Sequence, residues 1–347
     1  MGTTSSVRAR APLRLGLAGG GTDLSPFCDK YGGYVLNATV ALYAYAILSP
    51  RDDGRVRMIS ADRGDVFEAP AASSFDTNGP LVLHLGVYNR IVREFCGGRS
   101  LPITITTGSD VPAGSGLGSS SALVVAMVQA YAELLSLPLG EYDVARLAYE
   151  IERVDLLQSG GRQDQYAAAF GGLNFIEFYD RERVIVNPLR IKEHVRSELE
   201  CSMILYYTGV SRLSSQIISE QKRNIETGDD ASMKGMQLLK TNAIDMKEAV
   251  LKGDIPRVGE LLGAGWKAKK ETAAGISSDS IEYAFSTALK AGAYAGKVSG
   301  AGGGGFCMFM AEPEARQNVV NALSALPGKV INCNFTANGA TAWRIRS

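Results

Sequence analysis

The chemically most suggestive residues lie in the stretch Asp110-Val-Pro-Ala-Gly-Ser-Gly-Leu-Gly-Ser-Ser-Ser-Ala122. Gly114, Gly116 and Gly118 let the backbone turn its amides inward, and Ser119 to Ser121 set hydroxyls and free N–H groups at the positive end of a helix dipole. Such a cradle accepts an anion, and it points to nucleotide chemistry. Two familiar phosphate loops do not fit. A P-loop needs a lysine after its glycines, and none follows here. A dinucleotide-binding loop needs G-x-G-x-x-G in a tight turn, whereas this one reads G-x-G-x-G after a long approach from Asp110. The bland alternative is a strand-to-helix connection made flexible by glycine.

Three further segments hold side chains that could act with the loop. Near the N-terminus, Arg14 ends a short strand and Asp23 follows Gly19, Gly20 and Gly21, where a small ligand can come close to the backbone. Tyr149-Glu-Ile-Glu-Arg153 ends a helix. After it, Gly160-Gly-Arg-Gln-Asp-Gln-Tyr-Ala-Ala-Ala-Phe-Gly-Gly172 sets Asp164 in the first turn of a short helix that stops at Gly171, where the helix dipole favours negative charge. A second glycine-rich run, Lys297 to Phe306, is richer in glycine than a hairpin turn needs. Its backbone, Gly302 and Gly303 included, is expected to close over a ligand held by the first half of the chain.

The elements that must hold these residues follow from pattern. Ile103 to Thr107 is β-branched and strand-like, and Ala122 to Leu135 is apolar on nearly every face, as a buried helix is. Strands are expected near 34–49, 55–59 and 102–107, helices near 81–95, 119–135 and 141–153, and a hairpin over 173–186, with Asn187-Pro188 breaking the chain. Later come a strand at 203–208, long amphipathic helices, strands at 296–299 and 306–310, a helix at 313–326 and a strand at 329–334. Counted as β-α-β-β-α-β, this is a ferredoxin-like order. Two domains are expected, 1–187 and 188–347.

Composition narrows the function classes. With 36 basic and 36 acidic residues among 347, the formal charge is zero, which argues against nucleic acid and against an anionic membrane as partner. The longest apolar stretch, within 122–139, contains Gln129 and Glu133 and is too short to span a bilayer. Five scattered cysteines without C-x-x-C spacing suit reduced thiols, and no secretory signal is visible, so a cytoplasmic protein is expected. Only His84 and His194 are present, and neither belongs to a nucleophile motif or zinc site.

Taken in order, the pieces resemble the GHMP kinases. The resemblance is carried by Ala11-Pro-Leu-Arg14 through Asp23, by Pro112 to Ser120 in the form P-x-x-x-G-L-G-S-S, and by Gly300-Ala-Gly-Gly-Gly304. Within that superfamily the chain is most similar to the D-glycero-D-manno-heptose 7-phosphate kinase group, on Ala18 to Asp23, Gly161 to Gly172 and Tyr207 to Arg212. The resemblance implies an α+β fold of two domains, a ribosomal protein S5 domain 2-like N-terminal domain and a ferredoxin-like C-terminal one, with the site in the cleft between. It implies transfer of the γ-phosphoryl of ATP to the anomeric hydroxyl of a heptose 7-phosphate, for surface polysaccharide precursors. Nucleotide binding then falls to Pro112, Gly114, Ser115, Gly116, Leu117, Gly118, Ser119, Ser120 and Ser121. Asp164 stands beside the attacking hydroxyl with Arg14 near it, and Ser120 and Glu152 hold Mg²⁺. Gly20, Gly21, Thr22, Asp23, Gly302 and Gly303 face the sugar phosphate, with Arg212 as cation for its phosphate.

One departure bears on substrate. Galactokinases carry Glu-His where this chain has Gly20-Gly21, so galactose recognition is not expected and a longer sugar gains room. The rivals are another sugar-1-kinase such as a fucokinase-like protein, a non-catalytic sugar sensor, and a decarboxylase of the same superfamily. Homo-oligomer formation is compatible with the sequence.

Overall fold

The computed structural model describes residues 5–210 and 214–345. The first half contains β1 (Val7–Ala18), α1 (Phe27–Tyr31), β2 (Gly33–Pro50), β3 (Arg55–Ser60), β4 (Asp65–Pro70), α2 (Val82–Phe95), β5 (Ile103–Ser109), α3 (Ser119–Leu135), α4 (Glu141–Glu150), α5 (Gln163–Phe170), β6 (Leu173–Phe178) and β7 (Val184–Pro188). The second half contains α6 (Glu193–Ser202), β8 (Met203–Tyr207), α7 (Ser214–Thr227), α8 (Asp230–Lys252), α9 (Ile255–Lys270), α10 (Asp279–Lys290), β9 (Ala293–Val298), β10 (Phe306–Ala311), α11 (Pro313–Ser324), β11 (Lys329–Asn332) and β12 (Thr341–Arg344).

The first sheet runs β12-β1-β2-β5-β3-β4, with β6 and β7 continuing from β2. β2 is long enough to serve two neighbours in succession: Gly33–Ala38 pairs β6, and Ala44–Pro50 pairs β5. Helix α3, apolar all round, packs against β1 and β2 and is covered in turn by α2, α4 and α5. Burial on every face explains its sequence.

The second sheet, β11-β8-β10-β9, is antiparallel throughout, the strand order of a ferredoxin-like unit. Its two faces alternate as the pleat requires. Met203, Leu205, Met308 and Met310 join the core shared with the first sheet, while Ile204, Tyr206, Cys307 and Phe309 pack with Ile281, Phe285, Val319 and Leu323 of α10 and α11. Helices α8 and α9 lie together, α8 against β1 and β2 and α9 against β9.

Several sequence expectations change. β1 is a twelve-residue strand, so Arg14 lies inside it and not at the end of a short one. Asn187 and Pro188 do not break the chain; they belong to β7, an edge strand bonded only to β6, where a missing N–H is tolerated. The helix expected to reach Arg153 is α-helical to Glu150 and then opens into a π-turn, Ile151–Asp155. The division after residue 187 does not account for β12, which hydrogen-bonds to β1 in the first sheet. Strands β4 and β12 were not anticipated, being short and lacking strong alternation.

Candidate active site

Arg14 is the hub of the cleft between the two halves. Its Nε donates to Asp164 Oδ1 at 2.8 Å, and its Nη2 lies 2.7 Å from the same oxygen. Its Nη1 donates to the Gly116 carbonyl at 2.7 Å and to Ser299 Oγ at 3.3 Å. One side chain on β1 therefore joins the first glycine loop, the N-terminal turn of α5 and the end of β9. The Arg14 side chain is 6% exposed and that of Asp164 22%, so the carboxylate is the more open of the two, and both line the cleft. Asp164 Oδ2 carries no hydrogen bond among the described residues, which leaves that oxygen for a ligand.

The loop preceding α3 turns at its glycines. Gly114, Gly116 and Gly118 all adopt left-handed backbone, and Gly118 is the N-cap of α3. The first N–H groups of the helix, at Ser119, Ser120 and Ser121, have no intrahelical acceptor and stand at its positive end. The cleft is lined by Gly114, Gly116, Gly118 and these three serines, but not by Pro112, Ser115 or Leu117. Leu117 is core, Ser115 is buried under the second glycine run, and Pro112 is exposed beyond the cleft.

The second glycine run lies on the first, backbone against backbone. Phe306 N–H donates to the Ser115 carbonyl at 2.9 Å. A methyl group on Gly116 would lie 2.5 Å from the Ser299 carbonyl oxygen. Gly300 and Ala301 reach the cleft, whereas Gly303 donates its N–H to the Ile276 carbonyl at 2.7 Å, and Gly302 and Gly303 do not line it. This contact yields a prediction. Gly116→Ala, at φ +82° and against backbone, should lose about 1–3 kcal/mol of stability and most turnover. Gly263→Ala in α9, where a methyl meets nothing, should be neutral or gain about 0.5 kcal/mol. Urea unfolding of the two variants checks both, and equal stabilities would refute the packing argument.

Glu152 sits in the π-turn, 1% exposed, and still lines the cleft. Its Oε2 accepts from Gln165 Nε2, which also donates to Ser121 Oγ at 3.1 Å; its Oε1 lies 3.6 Å from Arg153 Nη1. Ser120, by contrast, is exposed at the cleft edge.

Asp23, expected at sugar hydroxyls, does line the cleft. It is 1% exposed, and its two oxygens accept four hydrogen bonds: Gly21 N–H and Gln163 Nε2 at Oδ1, Arg162 N–H and Gln163 N–H at Oδ2. A carboxylate so engaged fixes the start of α5, and with it Asp164. Thr22 is likewise internal, its hydroxyl bridging the backbone of Gly19 and Tyr34. Gly20 and Gly21 do line the cleft. Arg212 lies outside the described residues.

Sequence reasoning missed Gln163, Gln165, Lys269, Lys297 and Ser299. Lys269 was findable: it follows Val258, Leu262, Gly265 and Trp266 on the buried face of α9, an odd position for a lysine. Lys269 and Lys297 both line the cleft. Burial, with Arg14 nearby, lowers the Lys269 ammonium to about 8 even though Asp23 favours its charge. Burial, then Lys269 and Arg14, lowers that of Lys297 to about 7.

Comparison with known proteins places the chain in a family. Residues 83–172 match the GHMP kinases N terminal domain and residues 246–328 the GHMP kinases C terminal domain. The chain is 47% identical over 340 residues to the D-glycero-alpha-D-manno-heptose 7-phosphate kinase of Campylobacter jejuni, covering 98% of this chain and 99% of that one. A crystal structure of a D-glycero-D-manno-heptose 1-phosphate kinase from Bacteroides thetaiotaomicron superposes with TM-score 0.84 at 45% identity, over 98% of this chain and all of that one. Lactococcus lactis galactokinase complexed with galactose shares the fold alone, at TM-score 0.76 and 18% identity over 97% of this chain and 95% of that one. A serine-rich helix start, an Arg14–Asp164 pair and a glycine run across the cleft are thus found in a chain alike to these kinases from end to end, and it belongs to the GHMP kinase family of ATP-dependent kinases.

Proposed function

We propose that this protein transfers the γ-phosphoryl of ATP to the anomeric hydroxyl of D-glycero-D-manno-heptose 7-phosphate, giving the 1,7-bisphosphate used for surface polysaccharide precursors. The observation that carries the reading is the Arg14 hub, which ties the carboxylate of Asp164 to the phosphate loop and to the second domain. The names of the two relatives share a heptose and differ in the numbered phosphate, 7 in one and 1 in the other.

In this reading the triphosphate lies against the N–H groups of Ser119 to Ser121, and the base occupies the adjoining hollow lined by Leu83, Leu123 and His84. The sugar sits beside Gly20 and Gly21. Asp164 Oδ2 accepts the proton of the anomeric hydroxyl as its oxygen bonds to the γ-phosphorus and the bond to the β-phosphate oxygen breaks, releasing ADP. Arg14 holds Asp164 in place through Oδ1 and keeps one Nη2 proton for the moving phosphoryl oxygens.

The hard oxygens of Glu152 and Ser120 suit Mg²⁺, which takes one or two carboxylates and completes its shell with water and phosphate. Glu152 fits because Oε1 accepts no hydrogen bond among the described residues, and its ion pair with Arg153, 3.6 Å long, would yield to a bound cation. Bound there, the ion would neutralise charge on the β- and γ-phosphates. Glu152→Gln should lower turnover about tenfold at limiting magnesium and recover as magnesium is raised. A magnesium dependence unchanged from wild type would remove Glu152 from the metal site.

Phosphorus NMR of the product tests the reaction itself. A new anomeric phosphate on heptose 7-phosphate is expected, and a phosphate elsewhere on the sugar would overturn the assignment.

A further inference from the structure

Two ammonium groups in the cleft have no counter-ion. Lys269 on α9 and Lys297 on β9 are each 3% exposed, and neither forms an ion pair with a carboxylate among the described residues. Each gives one hydrogen bond to protein across the cleft, Lys269 to the Gly20 carbonyl at 3.1 Å and Lys297 to the Gly16 carbonyl at 2.6 Å. An ammonium has three protons, so two donors remain on each. Burying a charge without a partner is costly. The acid that most favours the charge of Lys269, Asp23, already accepts four N–H bonds, and the groups that act most on Lys297 are cations.

The position of Lys269 accounts for one glycine of the first motif, Gly21. A methyl group at Gly21 would lie 2.9 Å from Lys269 Nζ, at φ +108°, so the space a side chain would take is where the ammonium reaches. The charge of Arg14 is already matched by Asp164. What the cleft lacks is therefore an anion on the Gly16–Gly21 side. ATP fills the side of Ser119 to Ser121.

We propose that Lys269 and Lys297 bind the acceptor's own phosphate, the one that is not transferred, and thereby select a phosphorylated sugar over a free one. This rests on the heptose 7-phosphate reading above. The competing cations are Arg153, which lines both the cleft and an adjoining hollow and is paired with Glu152 at 3.6 Å, and Lys222, which lines the hollow. Burial and Arg153 lower the Lys222 ammonium while Glu226 favours its charge, and Lys222 lines that hollow and not the cleft.

The test uses 1-deoxyheptose 7-phosphate, which has no anomeric hydroxyl to phosphorylate, and its phosphate-free parent, each titrated calorimetrically into the full chain. Wild type should bind the phosphate ester far more tightly than the parent. Lys269→Met should lose about tenfold of that preference and the double variant Lys269→Met/Lys297→Met nearly all of it, with binding of the parent unchanged. The melting midpoint of the unliganded double variant should stay or rise, since methionine keeps the stem and removes a buried charge. Persistence of the preference in the double variant, or its loss in Lys222→Met instead, overturns the lysine assignment. Equal binding of both sugars by wild type overturns the acceptor reading as well.

Discussion

Asp164→Asn is expected to lower kcat by roughly 10³, about 4 kcal/mol of barrier, while leaving ATP affinity within about twofold of wild type. The amide matches the carboxylate in shape, and its oxygen can still accept from Arg14 as Oδ1 does now. What disappears is the lone pair at Oδ2, the oxygen open to the cleft. An asparagine has N–H donors there and cannot take the proton of the acceptor hydroxyl. Retention of more than about a tenth of wild-type kcat would exclude Asp164 from the chemistry.

Arg14→Met should be as damaging by a different route. It removes every bond of the hub at once and leaves Asp164 without the cation it was paired to. We expect a loss of about 10³ in kcat together with about 2 kcal/mol of stability. Arg14→Lys keeps the charge but cannot reach Asp164, Gly116 and Ser299 together, so it should recover little of the rate. Because the two residues act as one unit, the double variant Arg14→Met/Asp164→Asn should be no slower than the worse single variant. Additive losses in steady-state assays would mean that Arg14 and Asp164 work independently, contrary to the 2.7 Å contact between them.

How much of this was readable beforehand depends on whether a residue's partners are near it in sequence. The turn from Gly114 to Ser121 and the short helix from Gln163 to Phe170 are set by local rules, glycine at left-handed positions and a glycine stop, and both were legible. The ferredoxin-like half was legible too, because its β-α-β-β-α-β order can be counted along the chain. The bonds that hold Asp23 were not legible, because three of its four donors lie about 140 residues away, and nothing local says that Arg162 and Gln163 will turn toward it. Lys269 and Lys297 were passed over for the same reason. Lys269 stands out only by its place on the apolar face of α9, and neither lysine shows its partner, a carbonyl of β1 or the following glycine turn more than 240 residues earlier. The π-turn at Glu152 was not legible either, since a single widened turn carries no pattern in the sequence.

The strand that carries Arg14 has one neighbour, β2, made soon after it and another, β12, made last. Val7 to Arg10 lie opposite Thr341 to Arg344, so one flank of β1 stays open while more than 300 residues are synthesised. A bare strand edge is a template for pairing with other chains. Closing it late is also slow, because so distant a pairing must pay for a long loop. Hence a chain shortened from its C-terminal side by a dozen residues keeps every group named in the cleft, yet should accumulate in aggregates as it emerges from the ribosome, before any of it can be tested for catalysis.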